Sequence, residues 1–198
     1  MKTTALSTGN AAAAAGVLMA TGVAGEWVLN PQRSDGTVTN KPVFALLLVT
    51  STIGFALLTY AVRRLRRESE RRTRPARTGA FLSLAGAGLL TVFGLAVLVT
   101  GVATSAPAEV SFLAFALGML FLSIGPLTWG LSLRSHSPAP GVSPLLVVAG
   151  VLAFASVAIP IDPWHDVTLI GMFAAWSVIG LLLLGARVDQ RVRVSAGA

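Results

Sequence analysis

Six apolar stretches, at about 9–29, 43–62, 80–103, 110–133, 145–161 and 167–186, alternate with short segments that carry nearly all the charge. An α-helix rises about 1.5 Å per residue, so stretches of this length match a hydrocarbon core about 30 Å thick. Inside lipid the backbone polar groups have no water to bond, which leaves the helix as the conformation that satisfies them within one segment. The pattern therefore predicts an all-α, polytopic integral membrane protein with six transmembrane helices, forming a single transmembrane domain over residues 1–198. The second helix is expected to run on for two or three turns into the polar segment, because Arg64–Glu68, Glu68–Arg72 and Glu70–Arg74 are spaced i,i+4. Pro75 should stop it. Pro126 sits inside the fourth stretch as a kink, and residues 134–144 read as a flexible linker. The tail from Arg187 reads as short and polar.

The first stretch admits two readings. Lys2 followed by an apolar run and small residues at 20–25 is the layout of a cleaved signal peptide. The n-region is weakly basic, however, and apolar chain resumes at Trp27, which favours a retained first helix.

Charge then orients the bundle. The loop at 63–78 holds eight of the fifteen basic residues, all between Arg63 and Arg77. Arginine beside a span stays cytoplasmic, so this loop and both termini are expected inside a plasma membrane. Lys2, Arg134, Arg187, Arg191 and Arg193 fall on the same side, while Arg33 and Lys41 fall outside. The acids Glu26, Asp35, Glu109, Asp162 and Asp166 gather on the outer side. Trp27 and Trp164 are expected at the outer interface and Tyr60 and Trp129 at the inner one, with Trp176 packed mid-helix. The net charge of +7 is read as topogenic, attracted to anionic inner-leaflet lipid at about 1 kcal/mol per residue, and not as a nucleic-acid footprint.

A short repeat suggests three helical hairpins, at 9–62, 80–133 and 145–186. Ala15-Gly16-Val17-Leu18, Ala87-Gly88-Leu89-Leu90 and Ala149-Gly150-Val151-Leu152 open the odd-numbered helices, and each even-numbered helix closes in arginine. Small residues let helices approach closely in lipid, so Gly88 and Gly150 are expected to face neighbouring helices.

Composition narrows the chemistry. Mean hydropathy is +0.77 with 12% charged residues, and no span carries a charge near its midplane, which disfavours an ion-coupled carrier. There is no cysteine, so disulfides, thiolate metal sites and cysteine nucleophiles are excluded. His136 and His165 fall on opposite faces and cannot share a metal or haem. No cofactor and no metal is expected. The polar cluster Thr50-Ser51-Thr52 is expected to bond its own backbone or a neighbouring helix.

What remains is the outer rim. Glu26 lies in the last turns of the first helix with apolar chain on both sides, and Gly22, Glu26 and Asn30 share one face. Asp162, His165 and Asp166 bring two carboxylates and an imidazole into five residues. Asp162 also reads as an N-cap with Pro163 at the first helical position, and Asp166 as first-turn dipole chemistry. If the first and last helices are neighbours, Glu26 meets this cluster. Glu26 is then the expected acid, since apolar surroundings disfavour a bare carboxylate. Asp162 or Asp166 would hold His165 or face a cation. Trp27, Asn30 and Trp164 would line the substrate.

The block Val157-Ala158-Ile159-Pro160-Ile161-Asp162-Pro163-Trp164-His165-Asp166, followed by an apolar helix, resembles a pattern of the DUF998 family, bacterial six-helix membrane proteins of about this size. The resemblance implies a six-helix fold and carries no assigned activity. The absence of buried charge, the small-residue helices and the basic inner loop point to an accessory or partner-binding membrane subunit. The alternatives are a small membrane-embedded enzyme that acts on a lipid or isoprenoid chain by carboxylic-acid catalysis, like a terpene cyclase, and a facilitator for a neutral solute.

Overall fold

The computed structural model describes residues 7–31, 38–69, 73–104, 109–134, 139–159 and 163–196. It is all-α, with helices α1 (Thr8–Leu29), α2 (Lys41–Ser69), α3 (Arg74–Thr104), α4 (Glu109–Ser132), α5 (Val142–Ala158) and α6 (Trp164–Ala196). Five are long and apolar enough to cross a membrane, and α5 is a shorter apolar helix of 17 residues. At 1.5 Å per residue α5 covers about 25 Å, near the lower limit for a span. The chain is a multi-pass membrane protein.

Local chemistry sets the helix ends. Ser7 caps α1 by accepting the Asn10 N–H on its hydroxyl at 3.1 Å, the usual service of an N-cap serine. Asn30 ends α1 in the left-handed region (φ 41°), with its N–H donated to the Glu26 carbonyl, a conformation Asn tolerates better than most residues. The Pro31 carbonyl then accepts the Thr39 N–H and hydroxyl at 2.8 and 2.9 Å, which turns the chain into α2. Asn40 caps that helix through Val43 N–H.

Several ends differ from the sequence expectation. Pro75 does not terminate an extension of α2. It sits in the first turn of α3, where its missing N–H costs nothing, and α3 begins six residues before residue 80. At the start of α6 the Pro163 carbonyl accepts the first helical bond, from Val167 N–H at 3.1 Å, so Pro163 stands at the cap and Trp164 opens the helix. The polar tail from Arg187 continues α6 as helix as far as Ala196. Lys2, Arg33, Asp35, His136 and Asp162 lie outside the described residues. So do Glu70 and Arg72, and with them two of the expected i,i+4 pairs.

The helices form a closed ring. Each packs on the helix before and after it, α6 returns to α1, and among the described residues no other pair of helices brings its backbones close together. Neighbours run antiparallel, which gives the ring two unlike ends. One gathers the α2–α3 and α4–α5 connections and the arginines; the other gathers the α1–α2, α3–α4 and α5–α6 connections and Glu26 and Asp166.

In lipid, association rests on close packing and not on the transfer of apolar surface from water. The seams accordingly carry small residues seven apart. On α3, Gly79 and Gly86 lie against Gly125 and Gly118 of α4; on α4, Gly130 and Ser123 lie against Ser143 and Gly150 of α5; on α1, Gly9 and Gly16 lie against Gly180 and Phe173 of α6. Ser143 donates across its seam to the Gly130 carbonyl at 2.8 Å. Ser83 and Ser123 instead return their hydroxyls to their own helix, as Thr50 and Thr52 do. Of the two glycines the repeat singled out, Gly150 faces the α4 backbone as expected. Gly88 faces nothing within 4 Å, and the α3 seam uses Gly86, two residues earlier.

Side chains fill the middle of the ring. Met19, Leu58, Leu90, Leu122, Leu146, Met172, Trp129 and Trp176 are almost wholly buried, and Phe55 of α2 meets Phe173 of α6 edge-on with centroids 5.9 Å apart. Trp129, expected at the membrane interface, belongs to this core instead. Its indole Nε1, like that of Trp176, is buried without a hydrogen-bond partner. At the arginine end Leu65, Trp129, Leu133 and Val142 are at most 2% exposed, so that end is closed by packing.

Candidate functional site

Helical periodicity places the two described rim acids on the inward face. Glu26 follows Met19 by seven residues, nearly two full turns, and so stands within about 20° of it around α1. Met19 is completely buried in the core, which makes Glu26 the outermost member of the stripe that faces the ring interior. Asp166 precedes Phe173 by the same interval on α6, and Phe173 is 2% exposed. Since α1 and α6 are neighbours, both carboxyl groups lie at the mouth of the ring, two turns beyond the Phe55–Phe173 contact.

Glu26 is exposed and near enough to Asp166 for the two charges to act on one another. Asp166 is half-buried. The two acids favour positive charge at this end of the ring.

His165 has a different task. Its Nδ1–H donates to the Ser156 carbonyl at 2.7 Å. A carbonyl can only accept, so the proton is on Nδ1 and the ring ties the start of α6 to the last turn of α5. Sequence reasoning did not foresee this partner, because Ser156 takes part through its backbone. Thr168 secures the same turn by donating to the Trp164 and His165 carbonyls at 2.9 and 2.8 Å. The half-buried imidazole is therefore a clasp between helices, with Nε2 as its remaining polar atom.

The other expected site residues stand apart from the mouth. Asn30 serves as the C-cap of α1. Trp164 lies two positions before Asp166, about 200° around the helix, and is 61% exposed. Trp27 is about 100° from Glu26 and 52% exposed. Both indoles are thus exposed and turned around their helices from the acids. Asp162 lies outside the described residues. Among the described residues no group of three His, Cys, Asp or Glu side chains is placed to hold a metal ion.

The inward stripes were legible as a seven-residue interval, Met19 to Glu26 and Asp166 to Phe173, once both ends are known to face the core. The Phe55–Phe173 pair and the Phe93–Phe115 pair, 5.2 Å between centroids, carried no sequence signal of their own. Compared with family models, curated proteins and solved structures, the chain finds no match.

Proposed function

We propose that the mouth of the ring is an outward-facing site for the polar end of a lipid or isoprenoid chain, worked by carboxylic-acid chemistry. In this reading the arginine end faces the cytoplasm, with both termini, and the protein resides in the plasma membrane. Its basic face, which includes Arg64 over the Tyr60 ring and Arg66 over Phe81, each at 5.7 Å, rests on anionic inner-leaflet lipid. The observation that carries the reading is the position of Glu26 and Asp166. Both extend core stripes to the outer end of a ring that is packed below them, where the polar end of a chain lying at the membrane surface would meet them.

The chemistry is an acid beside a carboxylate. Glu26 donates a proton to an epoxide oxygen, whose C–O bond opens, or to an alkene carbon, whose π pair forms the new C–H bond. The carbon cation, faced by the Asp166 carboxylate, then loses a proton to a neighbouring base or takes up water and releases one, and a proton from solvent restores Glu26. His165 positions Asp166 by fixing the first turn of α6. The packed arginine end speaks against the neutral-solute facilitator, which needs a continuous path. The accessory-subunit reading rests on a separate observation: Trp27 and Trp164 present aromatic faces away from the mouth, where a partner helix or the lipid interface would meet them.

The test uses purified protein in nanodiscs with an epoxide-bearing isoprenoid, followed by product analysis. Turnover by the wild type that is lost in Glu26→Gln and Asp166→Asn supports the site. Turnover untouched by both substitutions reduces the two acids to helix-end and interface chemistry. No turnover and no change in tryptophan fluorescence on adding the isoprenoid leaves the accessory-subunit reading.

A further inference from the structure

At the opposite end of the bundle a groove of about 450 Å³ opens beside the start of α5, lined by Arg134, Pro140, Gly141, Pro144, Val147 and Val148. Its chemistry changes along its length. At the polar end is the exposed guanidinium of Arg134. Among the described residues lining the groove, competing groups are withheld: Pro140 and Pro144 have no N–H, Gly141 has no side chain and turns the backbone at φ 87°, and the Ser143 hydroxyl is already donated inward to the Gly130 carbonyl. Beyond Arg134 the walls are apolar. Pro144, Val148 and Val151, spaced i,i+4,i+7 on one face of α5, are all exposed and continue the groove toward the middle of the membrane.

We infer that this groove binds an anionic phospholipid, with the phosphate on Arg134 and an acyl chain along Pro144, Val148 and Val151. A guanidinium recognises phosphate by paired N–H donors. The apolar stripe leading away from it gives a free anion nothing to occupy. A chain joined to the phosphate fits both parts, in the order that a lipid presents them to a helix entering the bilayer. The site is independent of the acidic mouth, from which it is separated by the length of the bundle. It also differs in place from the arginine cluster on α2 and α3.

The test is native mass spectrometry of the full chain released from neutral detergent, titrated with phosphatidylglycerol or phosphatidylcholine. The wild type is expected to retain one phosphatidylglycerol. Arg134→Gln should weaken that retention roughly tenfold, the equivalent of about 1.4 kcal/mol. Arg77→Gln, an exposed arginine at the same end on α3, should leave the first bound lipid unchanged. Val148→Trp fills the exposed apolar end without touching the charge and should also release the lipid, which keeps the test sound if Arg134→Gln folds poorly. The inference is overturned if Arg134→Gln and Arg77→Gln lose lipid equally, or if phosphatidylcholine is held as tightly. It is likewise overturned if Val148→Trp has no effect, or if inorganic phosphate displaces the lipid at equal concentration, which would mark a simple anion site.

Discussion

Two glycines on the same helix, two residues apart, should respond oppositely to the same substitution. A Cβ on Gly86 would stand 2.7 Å from the Gly118 carbonyl oxygen and 2.9 Å from the Leu122 nitrogen, whereas one on Gly88 would meet nothing within 4 Å. Ordinary van der Waals contact begins near 3.4 Å, so the first atom of a new side chain at Gly86 already forces α3 and α4 apart by about 0.7 Å. Both obstructing atoms are backbone and cannot rotate aside. The remaining carbons of a leucine would enlarge the separation and weaken the seam along its length. Overpacking of this kind costs about 1–3 kcal/mol or more, and Gly86→Leu belongs at or above the upper figure. At Gly88 the same change replaces a poor helix former with a good one and gains up to about 1 kcal/mol. With roughly 2–4 °C per kcal/mol for a chain of this size, Gly86→Leu should lower the melting temperature in detergent by about 6–12 °C. Gly88→Leu should leave it unchanged or raise it slightly. Gly118→Ala provides an intermediate case, because its nearest neighbours are side-chain atoms, Leu90 Cγ and Cδ2 at 2.8 and 2.9 Å, which can give more readily than backbone. Thermal unfolding followed by size-exclusion chromatography reads all three. Equal losses at Gly86 and Gly88 would refute the seam as drawn.

Other expectations follow from single contacts. Ser143→Ala removes a hydrogen bond across the α4–α5 seam and should cost about 0.6 kcal/mol, the average for such bonds in membranes, while Ser123→Ala, whose bond is local, should cost less; chemical unfolding of the two variants compares them. His165→Phe keeps the ring and removes the clasp to Ser156. Hydrogen exchange should then rise at the α5–α6 junction with the rest of the bundle unchanged, and unchanged exchange at the junction would argue against the clasp. Phe173→Ala opens the centre of the ring and should destabilise by about 3–5 kcal/mol, measured by the same unfolding. Reporter fusions at Asp35 and Ser137 should read opposite sides of the membrane, and the same side at both would reverse the proposed orientation.

How much of this was legible in the sequence depends on what each signal measures. Apolar run length reports where lipid begins and ends, and it gave the six helices and their order. It does not report where a helix ends. The i,i+4 charge pairs did mark the run of α2 through Arg63, Arg64, Arg66 and Arg67, but nothing marked that of α6 through Arg187 to Ala196, because polar residues leave the membrane without leaving the helix. Choosing between Gly86 and Gly88 requires knowing which face meets a neighbour, and in a helix apolar on all sides the sequence does not mark that face. The same ambiguity misplaced Trp129, whose amphipathic ring suits an interface but whose position on α4 turns it into the core. Glu26 was conspicuous because its neighbours are apolar, and its pairing with the last helix followed once the ring closed. The aromatic partners assigned to it were chosen by nearness in sequence, and one residue of helix turns a side chain through about 100°.

A closed ring has no first member, yet the ribosome delivers its parts in order. The face of α1 that carries Gly9 and Gly16 fits α6, and the hydrogen bond from Ser177 to the Ala13 carbonyl spans 164 residues of chain. That face enters the membrane first and is matched last, after four other helices have been made. Sequential neighbours can pair as they emerge, whereas this seam waits for a long-range closure of the kind that slows folding. Until it forms, the small residues of α1 present a cleft shaped for a helix that does not yet exist. The stretch of the molecule most exposed to mispairing during its synthesis is thus its own first span, and a chain that stalls before α6 would be left with that cleft open.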